Sequence, residues 1–293
     1  MVMNCKYLTK IVGGQDGAIF GNYLFRFENN GVGKVYDVRE IIAGDRESVA
    51  ELATFKLDKS DIICPHSNSV FFGTEFYTAG DEFPLLYSNI YNNYAKTDEP
   101  LKGVCCVYRL FRTSDGFESE LVQLIEIGFV DDATLWKMSA EADGKRPYGN
   151  FVIDRERNLY YAFVMRECAE GTRYFSFKLP RARDGEIDDR YGVKRLVLGK
   201  EDIIDYFDCE HHVFPQGACC HRGRIYSLEG FNNKPGTARP PALRIIDPAA
   251  KKQILYAALA DYGCEKEPEV IDFFGDTCIC ADVYGNVYRF EFE

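Results

Sequence analysis

Five times along the chain, a short polar signature precedes a run of apolar residues, and a turn and a second apolar run follow within about a dozen residues. The signatures are Gln15-Asp16-Gly17, His66-Ser67-Asn68, Tyr148-Gly149-Asn150, Pro215-Gln216-Gly217 and Glu267-Pro268-Glu269. Apolar alternation interrupted by Asn and Gly turns is typical of antiparallel strands. A degenerate repeat of about four strands buries its faces only against neighbouring repeats, and this pattern predicts a β-propeller.

The repeats define five units of strands. The predicted strands are 18–20, 23–27, 34–38 and 53–57 in the first unit, 70–72, 84–87, 104–108 and 121–127 in the second, 151–153, 159–164, 173–177 and 195–198 in the third, 218–220, 224–228, 243–247 and 253–256 in the fourth, and 270–273, 278–281 and 286–290 in the fifth. Two stretches between units have a helical pattern, 45–52 and 200–207. The chain is therefore expected to be all-β with little helix.

The fifth unit lacks an outer strand, and the N-terminus can supply it. Residues 5–11 alternate as a strand does, so we expect them to complete the last blade and close the ring. The prediction is a five-bladed β-propeller forming one domain over residues 1–293. A six-bladed ring is the alternative if the long second unit is two short ones.

The net charge and the lengths of the apolar runs limit the kinds of partner that the chain is expected to bind. The net charge is −11, and no dense run of Lys and Arg opposes it, which argues against nucleic acid. No window of 18 apolar residues predicts a membrane span, and Met1–Lys6 lacks the features of a signal peptide. The 11 cysteines include several within apolar strand patterns, where Cys acts as a small hydrophobe in a reducing compartment. A cytoplasmic location is expected.

With these strands the chain resembles the five-bladed β-propeller group, which includes furanose-acting glycoside hydrolases, calcium-dependent nucleotidases and some lectins. The resemblance covers the whole chain as architecture and matches no single family motif. Propellers of the furanosidase kind use three carboxylates on successive inner strands. Here the third unit begins with Asn150 where an acid would be needed, so the resemblance implies a fold more than an activity.

The signatures place one oxygen-bearing side chain from each unit at the mouth of the predicted channel. These are Asp16, Asn68, Asn150, Gln216 and Glu269. Two acids and three amides could bind Ca²⁺, which takes oxygen ligands, or a polar organic ligand. The alternative is that they cap strand ends and order channel water.

A second set of residues lies two residues upstream in the repeat. It mixes rings and ionisable groups and consists of His66, Tyr148, Phe214 and Glu267. Rings beside acids and amides suit a sugar, because rings stack on its apolar faces while oxygens accept its hydroxyl protons.

Two candidate chemistries follow from the ionisable groups. Asp16 with Glu267 or Glu269 could act as a general acid and a base or nucleophile. A solvated acidic rim is the alternative. The histidines His211, His212 and His221 could join His66 around Zn²⁺ or Mn²⁺, or be ordinary loop residues.

The leading functional hypothesis is binding of a small polar, carbohydrate-like ligand at the channel mouth. An enzymatic version would be a hydrolase that uses Asp16 with Glu267 or Glu269. The competing hypothesis is a non-catalytic protein-interaction scaffold that uses the insertion at Tyr91–Tyr94 and the Pro/Gly-rich loop 234–241.

Overall fold

The computed structural model of the chain describes residues 3–90, 101, 103–129, 150–164, 172–210, 215–231 and 240–293. Its strands form five separate sheets. The first strand of each sheet contacts the first strand of the next, and the contacts return from the last sheet to the first. The chain is therefore a five-bladed β-propeller, as the repeat predicted.

Blade 1 is a four-stranded antiparallel meander. Its strands are β2 (Gly17–Phe20), β3 (Tyr23–Phe27), β4 (Val32–Asp37) and β5 (Ala53–Lys56). Helix α1 (Val38–Ala43) follows β4, with Asp37 accepting a hydrogen bond from the Arg39 amide at its start. It ends at Gly44, which has a left-handed backbone. The helix predicted at 45–52 is therefore wrong, since helical structure ends before it. A second short helix, α2 (Ser60–Ile63), leads towards blade 2.

Blade 2 is the largest sheet and explains the long second unit. Its meander consists of β6 (Val70–Phe72), β7 (Leu86–Asn89), β8 (Val104–Thr113) and β9 (Gly116–Ile127). Two later strands, β13 (Glu186–Asp188) and β14 (Val193–Leu198), extend the outer edge, with β14 parallel to β9. One six-stranded sheet replaces the two blades of the six-bladed alternative.

Blade 3 has a different outer strand from the predicted one. Its strands are β10 (Asn150–Asp154), β11 (Leu159–Val164), β12 (Thr172–Lys178) and β15 (Asp205–Cys209). The predicted fourth strand, 195–198, belongs instead to β14 in blade 2. The predicted helix at 200–207 is also wrong, because only a 3-10 turn at Lys200–Asp202 precedes β15. The ring of Phe207 stacks on Tyr174, which holds β15 in the blade.

Blades 4 and 5 complete the ring. Blade 4 comprises β16 (Pro215–His221), β17 (Arg224–Glu229), β18 (Ala242–Asp247) and β19 (Lys252–Ala258). A 3-10 helix, Leu259–Tyr262, leads into blade 5, which comprises β20 (Pro268–Phe274), β21 (Thr277–Asp282), β22 (Asn286–Phe292) and β1 (Met3–Lys10).

Closure by the N-terminus is confirmed. Strand β1 runs antiparallel to β22, from Met3 opposite Phe292 to Lys10 opposite Asn286. The side chains of Met3 and Leu8 are 2% and 4% exposed. The first strand of the chain is thus the outermost strand of the last blade and covers its free edge. The assignment of a single domain over 1–293 stays a prediction.

The core lies between blades and is rich in aromatic rings. Between blades 1 and 2, Phe25 contacts Phe72, Phe83 and Phe117 at ring-centroid distances of 5.3 to 5.6 Å. The described cysteines are free thiols, and six are buried: Cys105, Cys106, Cys219, Cys264, Cys278 and Cys280. Among the described residues, no helix has the length and apolar character that a membrane crossing requires.

Candidate functional site

The five predicted mouth residues all lie at or next to the starts of the inner strands and are all buried. Their exposed fractions are 0% for Asp16, 4% for Asn68, 6% for Asn150, 3% for Gln216 and 1% for Glu269. Burying a polar group is unfavourable unless it is hydrogen-bonded. Their partners therefore decide what each one can do.

Four of the predicted residues come together where the inner strands of blades 1, 4 and 5 meet, and we call Asp16, Gln216, Glu267 and Glu269 the axial cluster. Gln216 Nε2 donates to Glu267 Oε1 over 2.6 Å. A Cβ atom built on Gly217 would lie 2.8 Å from Asp16 Oδ1 and 1.9 Å from the backbone oxygen of Glu269. Blades 1, 4 and 5 thus meet at this point, and only glycine fits between them.

The two most deeply buried acids of the cluster are incompletely bonded. Asp16 Oδ2 accepts a hydrogen bond from the Val70 amide over 2.8 Å, which ties blade 1 to blade 2. Glu269 Oε1 lies 3.5 Å from Gln15 Nε2. Within the described part of the chain, Asp16 Oδ1 and Glu269 Oε2 are buried and have no hydrogen-bond partner. Such atoms are rare in folded proteins and call for an explanation.

Burial changes the acidity of all three carboxyl groups. It raises the pKa of Asp16 well above its ordinary value, although the Val70 amide opposes the shift. Burial also raises the pKa of Glu269, and the nearby Glu267 carboxyl adds to this effect. The pKa of Glu267 is raised by burial as well, against the hydrogen bond from Gln216. The cluster therefore keeps its protons to a higher pH than ordinary carboxyl groups do.

Irregular pairing of β16 and β20 changes the directions in which these side chains point. The β16–β17 register shifts between Pro215 and Ala218, and the β20–β21 register shifts between Pro268 and Val270. Shifts of this kind re-orient side chains and are common beside functional sites. Glu267 and Glu269 are two positions apart, a spacing that puts strand side chains on one face, and the Glu267 charge acts on Glu269.

A buried arginine, Arg26 on β3, lies beneath the cluster and was missed in the sequence. It is 2% exposed. Its guanidinium donates to the carbonyl oxygens of Val12, Gly14, Gln15 and Asp282, at 2.6 to 3.3 Å. The charge of Glu269 favours the cation, while burial lowers the pKa of Arg26. A single cation within the apolar run of β3 was the signal available in the sequence.

The second blade contributes a separate polar group. Asn89 Nδ2 donates to Asn68 Oδ1 over 2.6 Å, and Asn89 Oδ1 accepts from the Ser69 amide. Ser67 has a φ of 59°, a left-handed backbone that is uncommon outside glycine, and its hydroxyl lies 2.9 Å from that of Ser88. Backbone strain of this kind is frequent at functional sites.

The remaining predicted residues fall in three places. Asn150 is the first residue of β10 and is buried at the start of blade 3, while His66 is partly exposed ahead of blade 2. Tyr148 and Phe214 lie outside the described residues, as do His211 and His212.

His221 does not belong to the mouth. It ends β16, a strand about 20 Å long that starts beside Gln216, and it stacks on Phe273 with ring centroids 3.9 Å apart. The hypothesis of a metal site that His66 shares with His211, His212 and His221 stays a prediction, because His211 and His212 lie outside the described residues.

The side chains available as metal ligands decide whether the cluster suits a metal ion. In the described ranges, no group of three or more His, Cys, Asp or Glu side chains is placed to hold a metal ion. Ca²⁺ requires ionised carboxylates, whereas burial favours the protonated forms of Asp16 and Glu269. The cluster thus fits a neutral ligand better than it fits Ca²⁺.

Fold and site together define the class of protein: a five-bladed β-propeller with a buried cluster of acids and an amide between its inner strands. No protein-family model matches the chain, and no curated protein sequence matches it.

Three solved structures that are similar to the chain share 8% to 10% identity with it. The crystal structure of Myxococcus xanthus glutaminyl cyclase shares 8% identity and a TM-score of 0.49, over 99% of this chain and 96% of that one. The computationally designed protein Ika8 shares 9% identity and a TM-score of 0.39, over 98% and 99%. Kuenenia stuttgartiensis hydrazine synthase shares 10% and 0.39, over 91% of this chain and 60% of that one. We draw no function from these likenesses.

Proposed function

We propose that the axial cluster binds a small, uncharged, polyhydroxylated ligand of the carbohydrate kind at the mouth of the propeller channel. The observation that carries this proposal is the pair of buried carboxyl oxygens without partners, Asp16 Oδ1 and Glu269 Oε2. Ligand hydroxyl groups can satisfy both atoms. Small-ligand sites typically have a few convergent polar groups in this arrangement.

The protonation of the cluster supports a neutral ligand. A protonated carboxyl group has one donor and retains acceptor capacity, so it matches a hydroxyl group, which also donates and accepts. The raised pKa values of Asp16 and Glu269 favour this form. The Gln216 amide adds donors and an acceptor on the neighbouring blade.

A hydrolase version of the proposal has a stricter requirement. Glycoside hydrolysis by paired acids needs one protonated and one ionised carboxyl group. Burial raises the pKa of all three candidates, Asp16, Glu267 and Glu269, so the cluster supplies the acid more readily than the base. Glu267 is the least enclosed of the three and is the candidate for the ionised partner. Binding is therefore the function that the geometry supports best.

The test is ligand-induced stabilisation of chelator-treated protein. A ligand that binds the native state raises its melting temperature. We would screen neutral monosaccharides and disaccharides, sugar phosphates, Ca²⁺, Mn²⁺ and Zn²⁺, and then measure the affinity of any hit by calorimetry. We expect a neutral sugar to bind, with at least a tenfold loss of affinity in Asp16→Asn and Glu269→Gln. Glu118→Gln, an exposed substitution on β9, is the matched control.

The other outcomes separate the alternatives. Stabilisation by Ca²⁺ without a response to any sugar would replace the sugar proposal with a metal site. Equal affinities in the wild type and both cluster variants would place binding elsewhere. A screen without any response would contradict the proposal.

The scaffold alternative stays a prediction. Its insertion at Tyr91–Tyr94 lies outside the described residues, and so does most of the loop 234–241.

A further inference from the structure

Two cysteines from opposite ends of the chain meet beside the strand that closes the ring. Cys5 lies on β1, and Cys264 follows the 3-10 helix between blades 4 and 5. Their Sγ atoms are 3.3 Å apart, although 259 positions separate them in sequence. A disulfide has an S–S length of about 2.05 Å, so the two sulfurs would have to approach by about 1.2 Å to form one.

The two thiols differ in a way that assigns their roles. Cys5 is partly exposed, whereas Cys264 is 4% exposed. The Cys264 thiol can donate its proton to Cys5, and this hydrogen bond lowers the pKa of Cys5. The same contact, with burial, raises the pKa of Cys264. The thiolate is the reactive form of cysteine, so Cys5 is the attacking group and Cys264 the resolving one.

We propose that Cys5 and Cys264 form a reversible redox latch that takes a hydroperoxide as its oxidant. The Cys5 thiolate attacks a peroxide oxygen, the O–O bond breaks, and hydroxide leaves and takes up a proton to become water. Cys5 is then a sulfenic acid. The Cys264 sulfur attacks the Cys5 sulfur, the S–O bond breaks, and a second water leaves as the disulfide forms. In sum, two thiols are oxidised and one hydrogen peroxide is reduced to two waters.

The position of the pair gives the bond a structural effect. Strand β1 is held to the propeller through β22 and through its buried side chains. A bond from Cys5 to Cys264 would fasten β1 covalently to the connection that leads into blade 5. The loop it closes spans most of the chain, and long loops gain most from cross-linking in the chain-entropy account.

The test uses hydrogen peroxide on the full-length protein, followed by intact-mass measurement and peptide mapping. We expect a species two hydrogen atoms lighter, with a cross-link between Cys5 and Cys264 that dithiothreitol reverses. The oxidised form should melt roughly 5–10 °C higher. Cys264→Ser should stop at the Cys5 sulfenic acid, and Cys5→Ser should resist low peroxide. Cys64→Ser, at a partly exposed cysteine away from the pair, is the control and should behave as the wild type.

Three results would overturn the latch. One is a wild type that keeps all its thiols under peroxide concentrations that oxidise free glutathione. Another is a cross-link from Cys5 to Cys280, a buried thiol whose pKa is raised by burial and by the charge of Cys5 among its neighbours. The third is a Cys5–Cys264 bond that leaves the melting temperature unchanged, because β1 would then not be fastened by it.

Discussion

Replacing Arg26 with methionine tests what holds the closed ring together. The guanidinium bonds the carbonyl oxygens of three residues that follow β1 and of Asp282 at the end of β21. It therefore joins blade 1, blade 5 and the segment between them. Methionine has a similar length, is flexible and apolar, and has no donor. Arg26→Met thus removes the hydrogen bonds and retains most of the volume.

The expected loss follows from the four carbonyl groups. Each buried acceptor that loses its donor costs about 1–3 kcal/mol. Removing a buried cation returns part of this, because the guanidinium no longer has to be desolvated, and water can reach some of the carbonyls. We expect a net loss of about 3–6 kcal/mol, a large share of the roughly 5–15 kcal/mol of a typical domain.

The assay is urea unfolding followed by circular dichroism. Arg39→Met is the matched control, since Arg39 is exposed and bonds the neighbouring Asp37, and an exposed pair contributes little. Arg26→Lys should recover part of the loss, because an ammonium group has three donors but lacks the planar fork. If Arg26→Met unfolds at the same urea concentration as Arg39→Met, the carbonyl contacts do not stabilise the ring.

Three further predictions concern closure, packing and pH. Deleting residues 1–12 removes buried apolar side chains that stabilise the fold by roughly 5 kcal/mol or more. Calorimetry should therefore show no unfolding transition or one at a much lower temperature. An unchanged melting temperature would contradict closure by β1. Gly217→Ala should cost about 2–4 kcal/mol in urea unfolding because its Cβ would overlap the Glu269 carbonyl, whereas Gly80→Ala, in open space, should be neutral. Because burial raises the pKa of Asp16, the stability that its protonated carboxyl contributes is complete below the ordinary pKa of 3.8 and is lost as the pH rises through the raised value. Asp16→Asn should flatten this decline in the free energy of unfolding, by up to about 1.4 kcal/mol per pH unit.

The repeat was readable because each inner strand pairs with strands close in sequence. Signature, strand, turn and strand follow one another in every unit, and the number of blades follows from counting them. Closure was also readable, since the fifth unit lacked one strand and 5–11 alternated correctly. Local pairing and period-2 patterning therefore determine this part of the fold.

The outer strands were harder to predict from the sequence, because their partner strands are distant in sequence. Strand β14 pairs in parallel with β9, about seventy positions earlier, and nothing in its own pattern selects that partner. The ion pair of Arg195 with Glu126 fixes the contact, but it becomes visible only when the two strands are adjacent. The pattern of 200–207 suits either a helix or a strand, and stacking of Phe207 on Tyr174 selects the strand.

The candidate site also combines features that follow from local sequence with contacts between residues distant in sequence. The signatures identified residues at the mouth, but alternation could not decide which of them meet, because irregular pairing at Gln216 and Glu269 overrides it. The sequence did not indicate which groups Arg26 would bond, since its acceptors are backbone carbonyls, which every residue has. The identities of the side chains at the strand starts were predictable, and the hydrogen bonds that each of them makes were not.

Protonation links the stability of the cluster to its proposed ligand. Burial raises the pKa values of the Asp16 and Glu269 carboxyl groups, which favours their protonated forms, and Arg26 directs its hydrogen bonds to carbonyl groups. Raising the pH ionises these carboxyls, which destabilises the protein and removes the donors that a hydroxyl ligand would use. A neutral ligand that accepts from them must therefore bind more weakly as pH rises through their raised pKa values. A cation would bind more tightly over the same range, so the sign of this dependence distinguishes the two kinds of ligand.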